Sequence, residues 1–518
     1  VRVRVVDNGD PTNFNESAEL FEIRAGLDVT SPDGNADPDL TEAWTVGTTH
    51  TVTWTLVGYM NTVKLQYSVN GGVFAQIPGA TGLDATDGAT GFDWSIPNNI
   101  SNQVRVRIVN EGDLDVFADS EHDFKIQGKL DFNPTLPESG DEIWLVGETK
   151  TITWVKTGTI PTVKLQYSLD GTNYNDITGA ESLGGLTYNW VVGDLIDPAI
   201  NIRAINTVVD GTKPTVPAVS ANIQVKGQLK IDAPVTNNLW QVDNTYNVLW
   251  TPTGTMNTVK LEYSTNGFAG GQTYPILGPA GQSAANLPAG TSGQQQSFTW
   301  KIPDTISNTV TVRVTNNADG AVIGDSGLMK IVGGFKVLTP NGGGGQFFKV
   351  DRSTPVTWET HGTITSAKLQ YSTNAFLNES QVTDIITVGA GATGGSYPWQ
   401  IPNAIGPNVK VRVINPDSAF TITDISDQPF EIRGEIEFSS SNGDSPLGSE
   451  IWLIDETHML QWTKHGTIST VDVEYKVGTG TYAYALDPNG DPAQGISGNT
   501  FVWRIPDDEG LNNVLVRV

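Results

Sequence analysis

Apolar and polar residues alternate with a period of two along most of this chain. In Val63-Lys64-Leu65-Gln66-Tyr67 the apolar side chains share one face and Lys64 and Gln66 the other, and Val104-Arg105-Val106-Arg107-Ile108 and Thr151-Ile152-Thr153-Trp154 repeat the pattern. Successive side chains of an extended chain point to opposite faces, so this alternation predicts half-buried strands. Helical spacing is nowhere sustained. Asn70-Gly71, Asp170-Gly171 and Asn266-Gly267 follow three of these strands and signal tight hairpins, since both residues accept positive φ. About seven short strands in each hundred residues, each with one polar face, must bury the other face against a second sheet. The predicted class is all-β, built of β-sandwiches.

The pattern recurs. A block W-x-V…[ST]-x-x-W-x-x-x-G-x-x-x-x-V-x-[LV]-x-Y is present five times, with its second Trp at Trp54, Trp154, Trp250, Trp358 and Trp462. Ten residues earlier stand Trp44, Trp144, Trp240, Phe348 and Trp452, and four residues later Gly58, Gly158, Gly254, Gly362 and Gly466. Tyr67, Tyr167, Tyr263, Tyr371 and Tyr475 close the block, and a third Trp follows at Trp94, Trp190, Trp300, Trp399 and Trp503. Fixed spacing within alternating strands marks these aromatics as core anchors, with the second Trp and the Tyr of each copy expected inside.

A V-x-V-R strand recurs at intervals of about one hundred residues, the size of one small domain. Each copy but the one at Val514 is followed by a closing strand such as Phe124-Lys125-Ile126 and then by a glycine. The phase of the repeat divides the chain into 1–25, read as the last two strands of a preceding module; modules at 26–127, 128–226, 227–332 and 333–433; and 434–518, read as a module lacking its closing strand. Between Ile126 and Leu130 only Gln127, Gly128 and Lys129 intervene, and between Val225 and Leu229 only Lys226, Gly227 and Gln228. Three residues span at most about 10 Å. Each closing strand is therefore expected to run almost straight into the next opening strand, with neighbours meeting end to end.

The order ϕ-x-ϕ-x-x-P…W-x-V-G-x-[ST]-x-x-[IV]-x-W…V-x-L…W-x-[IV]-P…V-x-V-R-V…F-x-I resembles the Ig-like, fibronectin III-like sandwich of Ser/Thr-rich GPI-anchored fungal cell-wall proteins, whose relatives occur in tandem in large bacterial cell-surface proteins. It is clearest at Trp144-Leu145-Val146-Gly147, Thr151-Ile152-Thr153-Trp154 and Val163-Lys164-Leu165. Phe348 in place of Trp, Val192-Gly193 in place of Ile-Pro, and the glycines Gly342 to Gly345 depart from it. The resemblance implies a tandem array of Ig-like modules of about 100 residues. It further implies a structural, non-catalytic stalk or filament segment of a longer extracellular surface protein, of prokaryotic type. The partners it implies are neighbouring modules of the same chain and, in a filament, other copies. Its alternatives are an adhesin or carbohydrate-binding array, in which Phe74, Tyr174 and Phe117 would meet a glycan or a partner cell, and a spacer for an enzyme domain outside this segment.

Composition narrows the chemistry. With 30 basic and 57 acidic residues among 518, the net charge of −27 disfavours nucleic acid, and no apolar run is long enough for membrane insertion. Cys is absent, which removes disulfides, thiolate metal sites and cysteine nucleophiles. No catalytic motif is present, and His361 and His465, which share one repeat position, lie about a hundred residues apart with nothing convergent in the sequence around them. The segment is read as no enzyme and as having no cofactor. The acidic loop carrying Asp113, Asp115, Asp119 and Glu121 is the one candidate for Ca²⁺, which takes six to eight oxygens. The recurrent arginines, Arg4, Arg107, Arg203, Arg313, Arg412 and Arg517, project away from the apolar face and are expected in cross-strand ion pairs or stacking contacts.

Overall fold

The computed structural model describes residues 1–34, 42–138, 142–208, 213–391, 394–416, 422–439, 451–507 and 514–518. Among these, regular structure is strand apart from three short 3-10 turns. Packing groups the chain into two compact units. The first is Val1–Leu229 with Pro252–Asn257 and Gly290–Gln294; the second is Lys230–Thr251, Thr258–Ala289 and Gln295–Val518.

The first unit opens with a hairpin of β1 (Arg4–Val6) and β2 (Phe14–Glu16). The strands of the first repeat follow: β3 (Gly26–Ser31), β4 (Ala43–Thr45), β5 (Thr49–Val57), β6 (Thr62–Val69), β7 (Ala75–Gln76), β8 (Leu83–Asp84), β9 (Phe92–Ser95), β10 (Ser101–Asn110), β11 (Phe117–Asp119) and β12 (Phe124–Phe132). β3, β5 and β9 form one antiparallel sheet; β6 and β10 lie at the centre of the other, where β4 runs parallel to β12 at the edge. The alternation drives this arrangement: Val52 and Trp54 of β5 face Val63 and Leu65 of β6 and Val104, Val106 and Ile108 of β10 in one buried cluster. The second repeat builds a separate cluster around Trp144, Trp154 and Trp190. β12 serves both repeats. Its first half pairs with β10 and its second half, Lys129–Phe132, pairs with Trp154–Thr157, so closing and opening strand are one continuous element.

In the second unit, strands Gly334–Thr339, Ser353–His361 and Gly394–Gln400 make one sheet and Phe347–Lys349, Phe430–Arg433, Gly406–Ile414, Ser366–Ser372 and Val382–Gly389 the other, around a cluster containing Trp358 and Trp399. A further cluster holds Trp462 and Trp503. Met329–Val332 and Gly334–Thr339 are separated by Gly333 alone, and Phe430–Arg433 and Glu435–Phe438 by Gly434 alone. The chain is thus a tandem all-β array of two-sheet, Ig-like repeats.

The hairpins are looser than the Asn-Gly and Asp-Gly pairs predict. Asn70 and Gly71 do take positive φ, 54° and 67°, but the flanking strands resume pairing only at Tyr67 and Ala75. Side chains explain the extra residues: Ser168 donates to Asp170, and Asp170 accepts from the amides of Thr172 and Asn173, winding the chain through a wider turn.

Candidate functional site

Trp54, Trp154, Trp250, Trp358 and Trp462 have at most 3% of their surface exposed. Three of the indoles donate inside the core: Trp54 Nε1 to the Ala85 carbonyl at 3.1 Å, Trp250 to Ala289 at 3.2 Å and Trp358 to Ala390 at 3.0 Å. The Nε1 atoms of Trp154 and Trp462 meet no acceptor among the described residues. Four of the five tyrosines expected in the core sit at its rim instead. Only Tyr263 is buried, while Tyr67, Tyr167, Tyr371 and Tyr475 are half-buried. Each ring packs on the third Trp of its repeat, and the hydroxyl of Tyr67 reaches out to accept from Asn99 Nδ2 at 2.8 Å. A phenol keeps its polar tip near water or a partner, which places it at the edge of the sandwich.

The recurrent arginines form a second repeated feature on the outer sheet face. Arg107 lies between Phe74 and Phe117, 3.9 and 4.2 Å from their ring centres, and is bidentate to Asp119 at 2.6 and 2.9 Å. Arg203 stacks on Tyr174 at 3.7 Å, Arg313 on Phe268 at 3.9 Å, Arg412 on Phe376 at 4.7 Å and Arg517 on Tyr482 at 3.7 Å. Phe268 and Phe376 hold φ of 64° and 63°, an unfavourable region for a bulky residue, in the turns that carry these rings. The hydrogen bonds that Arg412 donates hold the Glu379 carboxyl below the usual carboxylate range. Phe74, Phe117 and Tyr174, the aromatics of the glycan alternative, thus each have one face occupied by a guanidinium. Arg107→Ala is expected to cost about 1–2 kcal/mol through lost stacking and the lost ion pair, read as a lower denaturant midpoint. A glycan-facing arginine would instead leave the midpoint unchanged.

The third repeated feature lies at the junctions, each of which falls within one compact unit. Asn98, Asp194, Asp304 and Asn403 stand two residues after the Ile or Val of the W-x-[IV] motif, at the centre of a tight turn. The following amide closes it, as Asn99 N to Pro97 O at 2.8 Å and Ala404 N to Pro402 O at 2.7 Å. Each side chain grips a threonine of the next repeat, directly after the glycine of the block. Thr159 N donates to Asn98 Oδ1 at 2.8 Å, and Asn98 Nδ2 donates to Thr159 Oγ1 at 2.8 Å. Thr255 N and Oγ1 donate to the two oxygens of Asp194 at 2.9 and 2.5 Å, and Thr363 does the same to Asp304 at 2.9 and 2.6 Å. Thr467 N donates to Asn403 Oδ1 at 2.8 Å, and Asn403 Nδ2 donates to Thr467 Oγ1 at 2.6 Å. Asn and Asp are interchangeable here because the threonine hydroxyl can either accept or donate.

Apolar contact surrounds the clamp. A Cβ added at Gly158 or Gly128 would lie 2.9 Å from Ile100 Cδ1, and one added at Gly254 would lie 2.9 Å from Ile196 Cδ1. An isoleucine of the preceding repeat thus seats against these glycines, and at Gly158 and Gly254 the φ of 88° and 92° disfavours any larger residue. The sequence carries the signal as two short recurring strings, [PG]-[ND]-x-I and G-T-[IM], whose spacing does not tie one to the other. His361 and His465 belong here too. His361 Nδ1 lies 3.4 Å from Asp243 Oδ2 and His465 Nδ1 3.0 Å from Asp351 Oδ2. Each histidine thus has a partner, supplied by the preceding repeat. In the first repeat Tyr59 stands where the others have Thr, and its hydroxyl donates to Asn61 at 2.6 Å.

In the acidic loop, Asp113 and Asp115 lie 3.6 and 3.5 Å from Arg24, Asp119 is held by Arg107, and Glu121 lies 3.8 Å from His122 Nε2. Among the described residues no three His, Asp or Glu side chains come together as a metal-binding group, and no helix is long and apolar enough to cross a membrane.

No family model matches the chain. No curated protein matches it. Among solved structures, the chain is similar to the tetra-tandem repeat in the extending region of a large adhesion protein: 13% identity, 77% of this chain and 97% of that one, TM-score 0.24. It is also similar to immunoglobulin domains 1–5 of Sidekick-1, at 9% identity over 95% of each chain with a TM-score of 0.18. The fibronectin(III)-like modules of Clostridium thermocellum CbhA match at 15% identity, over 39% of this chain and 92% of that one, with a TM-score of 0.14. The fold itself rests on the strand pairing and the separate cores described above.

Proposed function

We propose that this chain is a structural, non-catalytic segment of an extracellular stalk, a spacer whose repeats are joined so that load passes from one to the next. The observation that carries this reading is the repetition of one side-chain clamp at four successive junctions, with a single glycine or no residue between closing and opening strands. A set of independently mobile binding domains has no need of such a joint. The strand-motif order shared with cell-surface modules supports the extracellular setting. The second Trp of each repeat and Phe74, Phe117 and Tyr174 speak against a glycan platform, since they lie in cores or stack on arginine.

Single-molecule stretching of the full chain tests this. A spacer is expected to give a train of similar unfolding events, each releasing roughly 35 nm, as about 100 residues at 3.3–3.6 Å each require. The forces should be the same with and without chelator, since Asp113, Asp115 and Asp119 of the acidic loop already face Arg24 and Arg107. Binding to immobilised glycans at micromolar concentration, or a train of events that depends on Ca²⁺, would replace the spacer reading with the adhesin or the calcium-dependent one.

A further inference from the structure

We infer that the residues flanking the clamp sort the junctions into two matched classes, so that the exit face of one repeat is specific for the entry face of its neighbour; this deepens the spacer reading and rests on it. The exit position is the residue after W-x-[VI]. It is Gly47 and Gly147 in the first two repeats and Asp243, Asp351 and Asp455 in the last three, with φ of 79°, 82°, 69°, 64° and 69°. Its amide donates in every case to the carbonyl of the W-x-[IV] residue, at 2.8 to 3.0 Å, so the five positions are structurally equivalent. Left-handed φ favours glycine, and aspartate is one of the few side chains that tolerate it. Placing aspartate there three times calls for a gain that offsets the strain.

The entry position supplies one. It is the residue before the clamp glycine: Thr157 and Thr253 opposite the glycine exits, His361 and His465 opposite the aspartate exits. The pairing holds at all four junctions. A Cβ built at Gly147 would sit 3.6 Å from Thr253 Cγ2, where Asp243 and His361 place polar atoms in contact at the third junction, whereas one built at Gly47 would meet nothing within 4 Å. In the fourth junction the match extends further, for His465 Nε2 also lies 3.5 Å from Glu437, and Lys349 and Arg352 both reach Glu435 at 2.6 Å. Arg352 contacts Glu437 as well. Asp455 has the same position and backbone and meets Arg504 at 2.8 Å. A glycine–threonine junction carries no charged side chain at these two positions; an aspartate–histidine junction fills them with a hydrogen-bonding couple. Mixing the two leaves either a strained, unpaired aspartate or a histidine facing empty space.

A double-mutant cycle in the full chain tests the matching. The readout is hydrogen exchange of the Thr363 amide, which donates to Asp304 beside the pair. Asp243→Gly and His361→Thr are each expected to speed that exchange about two- to fivefold, as loss of one half-exposed side-chain hydrogen bond implies. The combination, which recreates the class found at the first two junctions, should return it to near the wild-type rate. The reciprocal cycle, Gly147→Asp with Thr253→His, read at Thr255, should behave alike. Exchange in the double variants equal to the product of the single effects, or single variants without effect, would overturn the matching. Either result would leave the stretching experiment on the unmodified chain to decide the spacer reading by itself.

Discussion

Trp154→Ala will destabilise its own repeat by about 3–5 kcal/mol, the usual cost of truncating a fully buried indole. The repeat's core is a closed cluster around Trp144, Trp154 and Trp190. Loss of the ring opens a cavity between two sheets whose other inward residues, Ile152, Val163 and Ile202, are already packed against one another. The effect should be local, because the neighbouring repeat has its own cluster around Trp54. Trp154→Phe separates volume from hydrogen bonding. Trp54 donates to Ala85, so Trp54→Phe loses a ring and leaves a buried carbonyl without its donor. The Trp154 Nε1 meets no acceptor among the described residues, so Trp154→Phe loses volume but removes a desolvated donor. An unmade buried hydrogen bond costs about 1–3 kcal/mol, and the two phenylalanine variants should differ by that order, with Trp54→Phe the worse. Calorimetry of the full chain, resolving the two repeats as separate transitions, makes the comparison. Equal losses would mean that the Trp154 indole is satisfied in solution.

The aromatic anchors are legible in the sequence because a core imposes a period. Trp54 and its four counterparts recur at fixed offsets from a glycine and a tyrosine, and an inward-facing strand position recurs every second residue. What lies between repeats has no such period. Asn98 and Thr159 are 61 residues apart and each belongs to a string that reads as ordinary turn chemistry. Nothing local says that the two turns interlock. His361 looks isolated for the same reason, since its partner Asp243 is 118 residues away and reaches it only where two end loops meet. The arginines are intermediate. Alternation places Arg107 on the outer face, and a cross-strand acid such as Asp119 follows from pairing of β10 with β11. That Phe74 covers it from the opposite side depends on a wide turn that the Asn70-Gly71 pair does not reveal. The rim position of four tyrosines is likewise a matter of how far the third Trp reaches, which spacing does not encode.

Gly254→Val is expected to unlock a junction without unfolding a repeat. Gly254 holds φ of +92°, and a Cβ there would approach Ile196 Cδ1 to 2.9 Å and Asp194 Oδ1 to 3.2 Å. Two costs follow. Valine in the left-handed region carries strain on the order of 1–3 kcal/mol, and the clash with Ile196 and Asp194 adds overpacking of similar size. Gly58 separates them. It occupies the same position of the first repeat with φ of +95°, but an added Cβ meets only Ala25, at 3.1 and 3.3 Å, and Tyr59 replaces the clamp threonine. Gly58→Val therefore reports strain and a tight contact with Ala25 where no clamp exists, and Gly254→Val strain plus a broken joint. The joint can be read by trypsin at Lys226, which precedes the single residue Gly227 separating closing from opening strand. Cleavage of a closed site tracks the population of its open form, and 1.4 kcal/mol is a tenfold change in that population. Gly254→Val should raise cleavage at Lys226 at least about tenfold, whereas Gly58→Val should leave it at the wild-type rate. Asp194→Ala, which removes the acceptor of both Thr255 bonds and introduces no strain, should raise it as well, by a smaller factor. If all three variants are cut at the wild-type rate, the clamp does not hold the junction closed, and the short connecting segment alone must restrain it.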